Sequence, residues 1–174
     1  MPAPSPVLVT AWVTLVLWCL GECLRARSHD VQGAAPRIAW TLGASALVLH
    51  ILAAFAIRHH WSHTAAVMET ARQTSEVFGI RWGGGVWINY GLALWWGLDV
   101  VAVWCLPTWP HRWVRYERLR LGVFLFLWFN AAVVFAHGPS RLLGIAACTA
   151  VAVSWARRHR QQIGSQAGRH GVRE

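Results

Sequence analysis

The stretch RIAWTLGASALVLHILAAFAIRHHWSH, residues 37–63, decides the fold. Between Arg37 and Arg58 it carries no formal charge, and it matches the ~20 residues a helix needs to cross a hydrocarbon core. It therefore reads as a membrane span. The IRHHWSH at its end, residues 57–63, sets three histidines and a tryptophan at the polar edge where the chain leaves the bilayer.

The rest of the chain fits this frame. At 56% hydrophobic and 13% charged it is too apolar for an ordinary soluble domain. Five spans can be read, at about residues 7–24, 37–57, 86–106, 119–137 and 140–156. The fold expected is an all-α, polytopic membrane protein of five transmembrane helices. Residues 1–156 form one embedded bundle and residues 157–174 a basic, poorly ordered cytoplasmic tail. His137-Gly138-Pro139-Ser140-Arg141 is a tight turn that makes the last two spans a hairpin. Within residues 62–78, Ser62 reads as a helix start and Val67, Ala71, Thr74 and Phe78 recur at helical spacing, so a short extracytoplasmic interfacial helix is expected between spans two and three. Gly79 and Gly83-Gly84-Gly85 end it. This glycine cluster lacks the strand and the Lys-Ser/Thr of a phosphate loop.

The formal charge of +9 comes from arginine alone. A nucleic-acid partner would need those charges on one soluble face, whereas they lie between the apolar runs. Counting them gives orientation, because basic flanks stay in the cytoplasm. One side holds Arg25, Arg27, Arg37, Arg112, Arg115, Arg118, Arg120, Arg157, Arg158, Arg160, Arg169 and Arg173; the other holds Arg58, Arg72, Arg81 and Arg141. The bias places the amino terminus outside and the carboxy terminus inside a bacterial-type inner membrane. Bilayer lipid is the expected partner, together with other membrane subunits. The 13 tryptophans concentrate near the span ends, as interfacial anchors do. The amino-terminal run lacks a basic leader and a small-x-small cleavage site, so it reads as a retained span. Cys19, Cys23, Cys105 and Cys148 form no CxxC pair and read as small hydrophobes rather than as a disulfide framework or a soft-metal set.

Ionisable and amide groups inside spans are the best site candidates a membrane sequence offers. Here they are His50, Asn89, Asp99, Asn130 and His137. Helical phase aligns His50 with Gly43, Ala46 and Ala53, a small-residue stripe for close helix contact. It aligns Asn89 with Leu92, Trp96, Asp99 and Val103, and Asn130 with Val134 and His137. At ~1.5 Å of rise per residue from the cytoplasmic flanks at Arg37, Pro107 and Arg120, His50 lies roughly 20 Å up, Asn89 roughly 27 Å and His137 roughly 25 Å, with Asn130 roughly 15 Å and Asp99 roughly 12 Å up. Gly144, Ala147, Cys148, Val151 and Trp155 read as a packing face of span five. Glu22, beside Arg25, reads as an interfacial charge.

Several site readings follow. A b-type haem needs two axial imidazoles from facing helices at similar depth, which His50 and His137 could supply, with Asn89 and Asn130 nearby. A Zn or Cu ion could be held by His59, His60 and His63, with His137 or Glu69; residues 59 and 63 share a helical face, although the pattern lacks HExxH and further histidine boxes. The remaining histidines, His29, His111, His159 and His170, fall in cytoplasmic segments. Asp99 could carry protons or ions, with Asn130 and His50 as outward steps, or could fix spans three and four together through hydrogen bonds. No nucleophile elbow, dinucleotide fingerprint or phosphate loop is present, so soluble-enzyme chemistry has no support. No inverted repeat marks a transporter. The expected function is electron transfer or metal handling at a polar site in the outer half, against a cofactor-free assembly subunit or a small transporter using Asp99. In an unbroken helix, the His59–His63 cluster points away from His50. The two become one site only if the helix breaks near His59.

Overall fold

The computed structural model describes residues 4–27, 33–106 and 114–170, the side chains of residues 114 and 165–170 excepted. His29, Pro107, His111, Arg112 and Arg173, and the side chains of Arg169 and His170, lie outside the described residues.

The described residues form six α-helices and no strand: α1 (Pro6–Arg27), α2 (Ala34–Ile57), α3 (His63–Phe78), α4 (Gly85–Cys105), α5 (Val114–Phe129) and α6 (Pro139–His170). A π-helical segment, Asn130–Val134, continues α5, and Phe135 N–H reaches back five residues to the Asn130 carbonyl at 2.9 Å. Four helices are long and apolar enough to cross a membrane: α1, α2, α4 and residues 139–164 of α6. They point to a membrane location. The expected span 119–137 is not among them, because its α-helical part starts earlier, in a charged turn with Arg115, Glu117 and Arg118, and passes into the π segment after 16 residues. Residues 157–170 of the tail expected to be poorly ordered are a continuation of α6. Its ARRHRQQ run is built of good helix formers with no proline to stop it.

Helix α1 packs along α2 and α6, α2 also packs on α4, α6 on α5 and the π segment, and α3 on α4. Large apolar side chains such as Leu49, Leu94, Leu98 and Leu142 stay exposed on the outer faces, the apolar exterior that a lipid environment tolerates and water does not. The tryptophans divide. Trp61, Trp82, Trp87 and Trp104 are exposed near helix ends, whereas Trp18, Trp40, Trp96 and Trp128 are core. Trp40 packs tilted against Trp96 at 4.7 Å and Phe124 at 5.3 Å, and Trp18 stacks on Trp128 at 5.6 Å. Small residues admit these rings: Gly43 faces the Trp96 indole so closely that a Cβ there would sit 2.7 Å from it. The small-residue stripe of α2 thus has a definite partner.

The turn after α2 breaks the helix at Ile57. Trp61 N–H bonds the Phe55 carbonyl at 2.9 Å, and His60 and Trp61 both take left-handed backbone angles, φ 46° and 61°. Ser62 then caps α3 by accepting from Ala65 N–H at 3.2 Å, and Gly79, at φ 73°, ends it. Both caps fall where the sequence signals them. On the exposed face of α3, Arg72 bridges Glu69 and Glu76. The Arg72 guanidinium holds the Glu69 carboxyl below its usual range.

Candidate functional site

Two polar regions lie at different depths along the bundle. One, at the α3 end of the bundle, is a cavity of about 520 Å³ bounded by α2, α3, α4, α5 and the π segment. His50 of α2, Asn89 of α4 and Asn130 of the π segment all line it, as does His59. Its floor is Leu47, Leu92 and Trp128, and its roof is the inner face of α3, with Ala66, Thr70 and Gln73. At the roof's far edge Phe78 meets Phe135 edge-to-face at 5.7 Å. The cavity exists because α4 and α5 meet through rings rather than backbones. Trp95 and Trp96 wedge against Phe124 at 5.8 and 5.1 Å toward the other end of α4, and above them the gap is left open.

His50 is anchored on α1. Its Nδ1 lies 3.1 Å from Thr10 Oγ1 and 3.2 Å from the Val7 carbonyl. A carbonyl only accepts, so Nδ1 carries the proton and Nε2 is left as an acceptor. Asn130 donates through Nδ2 to the Phe126 carbonyl at 2.7 Å, which fixes the side chain at the start of the π segment. Such segments are frequent at functional sites.

Other expected partners do not arrive. The helical path ends at Val134, so His137 stands exposed in the following turn and does not line the cavity. It does not line the cavity that His50 lines, and nothing among the described residues supports a haem held between these two histidines. His59, His60 and His63 do not share a helical face, because the helix break falls between them. His60 and His63 are exposed, and His59 packs edge-on against Phe55 at 5.8 Å. Among the described residues no group of three or more His, Cys, Asp or Glu side chains could hold a metal ion. The break does bring His59 to the same cavity as His50, the one condition under which those two regions join.

Asp99 belongs to the second region, two turns or more further along α4 from Asn89. Its carboxylate accepts from Trp40 Nε1 at 2.8 Å and Tyr116 Oη at 2.6 Å, and Arg25 lies 3.8 Å away. It binds α4 to α1, α2 and α5, the helix-fixing arrangement. Glu22, read from sequence as interfacial, is fully buried. It pairs with Arg120 through both oxygens and accepts from Trp155 Nε1 at 3.1 Å. The guanidinium groups of Arg25 and Arg120 lie 4.4 and 4.6 Å from the centre of the Trp40 ring. Two acids and two arginines thus cancel around one indole, since buried charges need partners. The signal that could have found this region is the same helical phase: Trp18, Glu22 and Arg25 share one face of α1, and Arg120, Phe124 and Trp128 one face of α5.

No protein-family model matches the chain, and no curated protein and no solved structure shows significant similarity to it.

Proposed function

We propose that this chain is a five-span inner-membrane protein that binds a small molecule in its outer-half cavity. The observation that carries the reading is convergence: His50, Asn89 and Asn130, from three separate helical segments, line one mostly apolar space, the combination of apolar wall and few fixed polar groups that ligand sites use. The inner network pairs Glu22 with Arg120 and sets Arg25 beside Asp99, and it serves as the base of that site.

Helix α5 and the π segment form one unbroken helical path from Val114 to Val134, which supports a fifth crossing. Orientation keeps its arginine bias. Setting aside the buried Arg25 and Arg120, ten of the twelve cytoplasmic arginines remain against four outside. The exposed Phe78, Ile80 and Trp82 around the end of α3 suit a helix lying at the outer interface, and the basic end of α6 suits anionic lipid or a neighbouring subunit. A reporter fused to the carboxy terminus is expected to read cytoplasmic; an extracytoplasmic signal would invert the whole assignment.

Ligand binding has a direct test. Protein purified in mild detergent and extracted with organic solvent is expected to release one small molecule in near-stoichiometric amount. Asn89→Leu and Asn130→Leu should retain much less of it while remaining folded by circular dichroism. An empty extract from well-folded protein sinks the reading, and a Soret band or stoichiometric metal would replace it with a cofactor site.

A further inference from the structure

The lining of the outer cavity narrows what it takes. Among its described lining residues there is no Arg, Lys, Asp or Glu. A charged headgroup entering there would lose its water and find no counter-ion, a cost that buried ions do not sustain without partners. Its polar groups are amide, imidazole, phenol, hydroxyl and indole, among them Asn89, Asn130, His50, His59, Tyr90 and Thr70. The Asn89 amide can donate, while His50, with its proton on Nδ1, offers only an acceptor at Nε2. An uncharged head that carries a hydroxyl satisfies both.

One route in is lateral. Leu92 and Trp128 close the floor, and α3 covers the cavity as a roof whose Gln73 and Phe78, like Trp82 beyond its end, are themselves exposed. To the side, Ile88 and Asn89 of α4 face the gap, with Phe126 of α5 and Ala131 of the π segment opposite, and all four are exposed while lining the cavity. At this depth that side is lipid rather than water, given the membrane location. Aromatic walls and a mouth between helices suit a hydrocarbon chain trailing from a seated head.

We propose that the cavity takes a neutral lipid, a hydroxyl-bearing uncharged headgroup on a hydrocarbon chain, through the gap between α4 and the α5–π segment. This rests on the ligand-binding reading above and names its substrate class. The shared chemistry has two sources, an acylglycerol or a reduced quinone, and the test separates them.

Binding of dioctanoylglycerol, of decylubiquinol kept reduced, and of anionic dioctanoyl phosphatidylglycerol is to be measured by native mass spectrometry on the full chain in mild detergent. At least one neutral probe is expected to bind about tenfold more tightly than the anionic lipid, and His50→Leu or Asn89→Leu to weaken it about tenfold, the effect of one buried hydrogen bond. The stronger neutral probe identifies the source. Ile88→Trp, on the exposed rim, should abolish binding with the fold intact, and Leu94→Trp, exposed on α4 but outside the lining, should not. Preference for phosphatidylglycerol, or full binding by Ile88→Trp, overturns the proposal and leaves a ligand cavity of another kind. Binding of no probe overturns it as well, and the solvent extract, which uses no probe, then decides separately whether the cavity reading falls too.

Discussion

Replacing Arg120 by leucine is expected to destabilise the protein by about 3–5 kcal/mol, the cost of leaving a buried charge without its partner. Glu22 is fully buried, and in the variant it keeps only the Trp155 indole N–H as a donor. Glu22→Leu should cost a similar amount for the opposite reason. Arg120 and Arg25 would then approach the same Trp40 ring with Asp99 as the nearest full counter-ion. The double variant Glu22→Leu/Arg120→Leu removes both charges together and should recover most of the loss, because apolar replacements of a buried pair are often neutral or stabilising. Unfolding in bicelles followed through tryptophan fluorescence gives the three free energies. If the double variant is as damaged as the sum of the singles, the two residues do not act as a pair.

That network marks the limit of what the sequence made legible. The spans around α1, α2 and α4 were readable from length and apolarity, and the α3 caps from Ser62 and Gly79, because each depends on local chemistry. His50, Asn89 and Asn130 were readable as polar groups inside spans, where every such group is costly. Glu22, Arg25 and Arg120 were not, since a charge at the end of an apolar run has an ordinary explanation as an interfacial or topology-setting residue. Only the pairing across helices distinguishes a snorkelling arginine from a buried one, and pairing is a long-range fact. The same holds for Trp40, whose position near a span end fits an interfacial belt until it is seen packed against Trp96, a ring that Gly43 receives. His137 was misplaced for a different reason. Its depth assumed α-helical rise through a stretch that changes to π geometry at Asn130 and ends at Val134.

The π segment also sets the second large effect. Gly144 on α6 sits against the Ala132 backbone so closely that an added Cβ would lie 2.2 Å from the Ala132 carbonyl oxygen and 2.7 Å from its Cβ. Neither atom is a flexible side-chain end, so Gly144→Ala must push α6 and the π segment apart. The expected loss is about 3 kcal/mol, the upper part of the range for overpacking a filled core. Gly164→Ala, further along the same helix with nothing within 4 Å of its added Cβ, should instead be neutral or gain about 0.5–1 kcal/mol from reduced unfolded-state freedom. The contrast separates close packing from helix propensity, because both changes add one methyl to one helix. Displacement of the π segment also moves Asn130, two residues from the contact and on the cavity wall. Gly144→Ala should therefore lose ligand in the solvent extract even under conditions where it remains folded, and Gly164→Ala should not. Equal stability of the two variants would mean that α6 and the π segment do not meet at Gly144. Without that contact the bond to the Phe126 carbonyl would be left to hold Asn130 on the cavity wall.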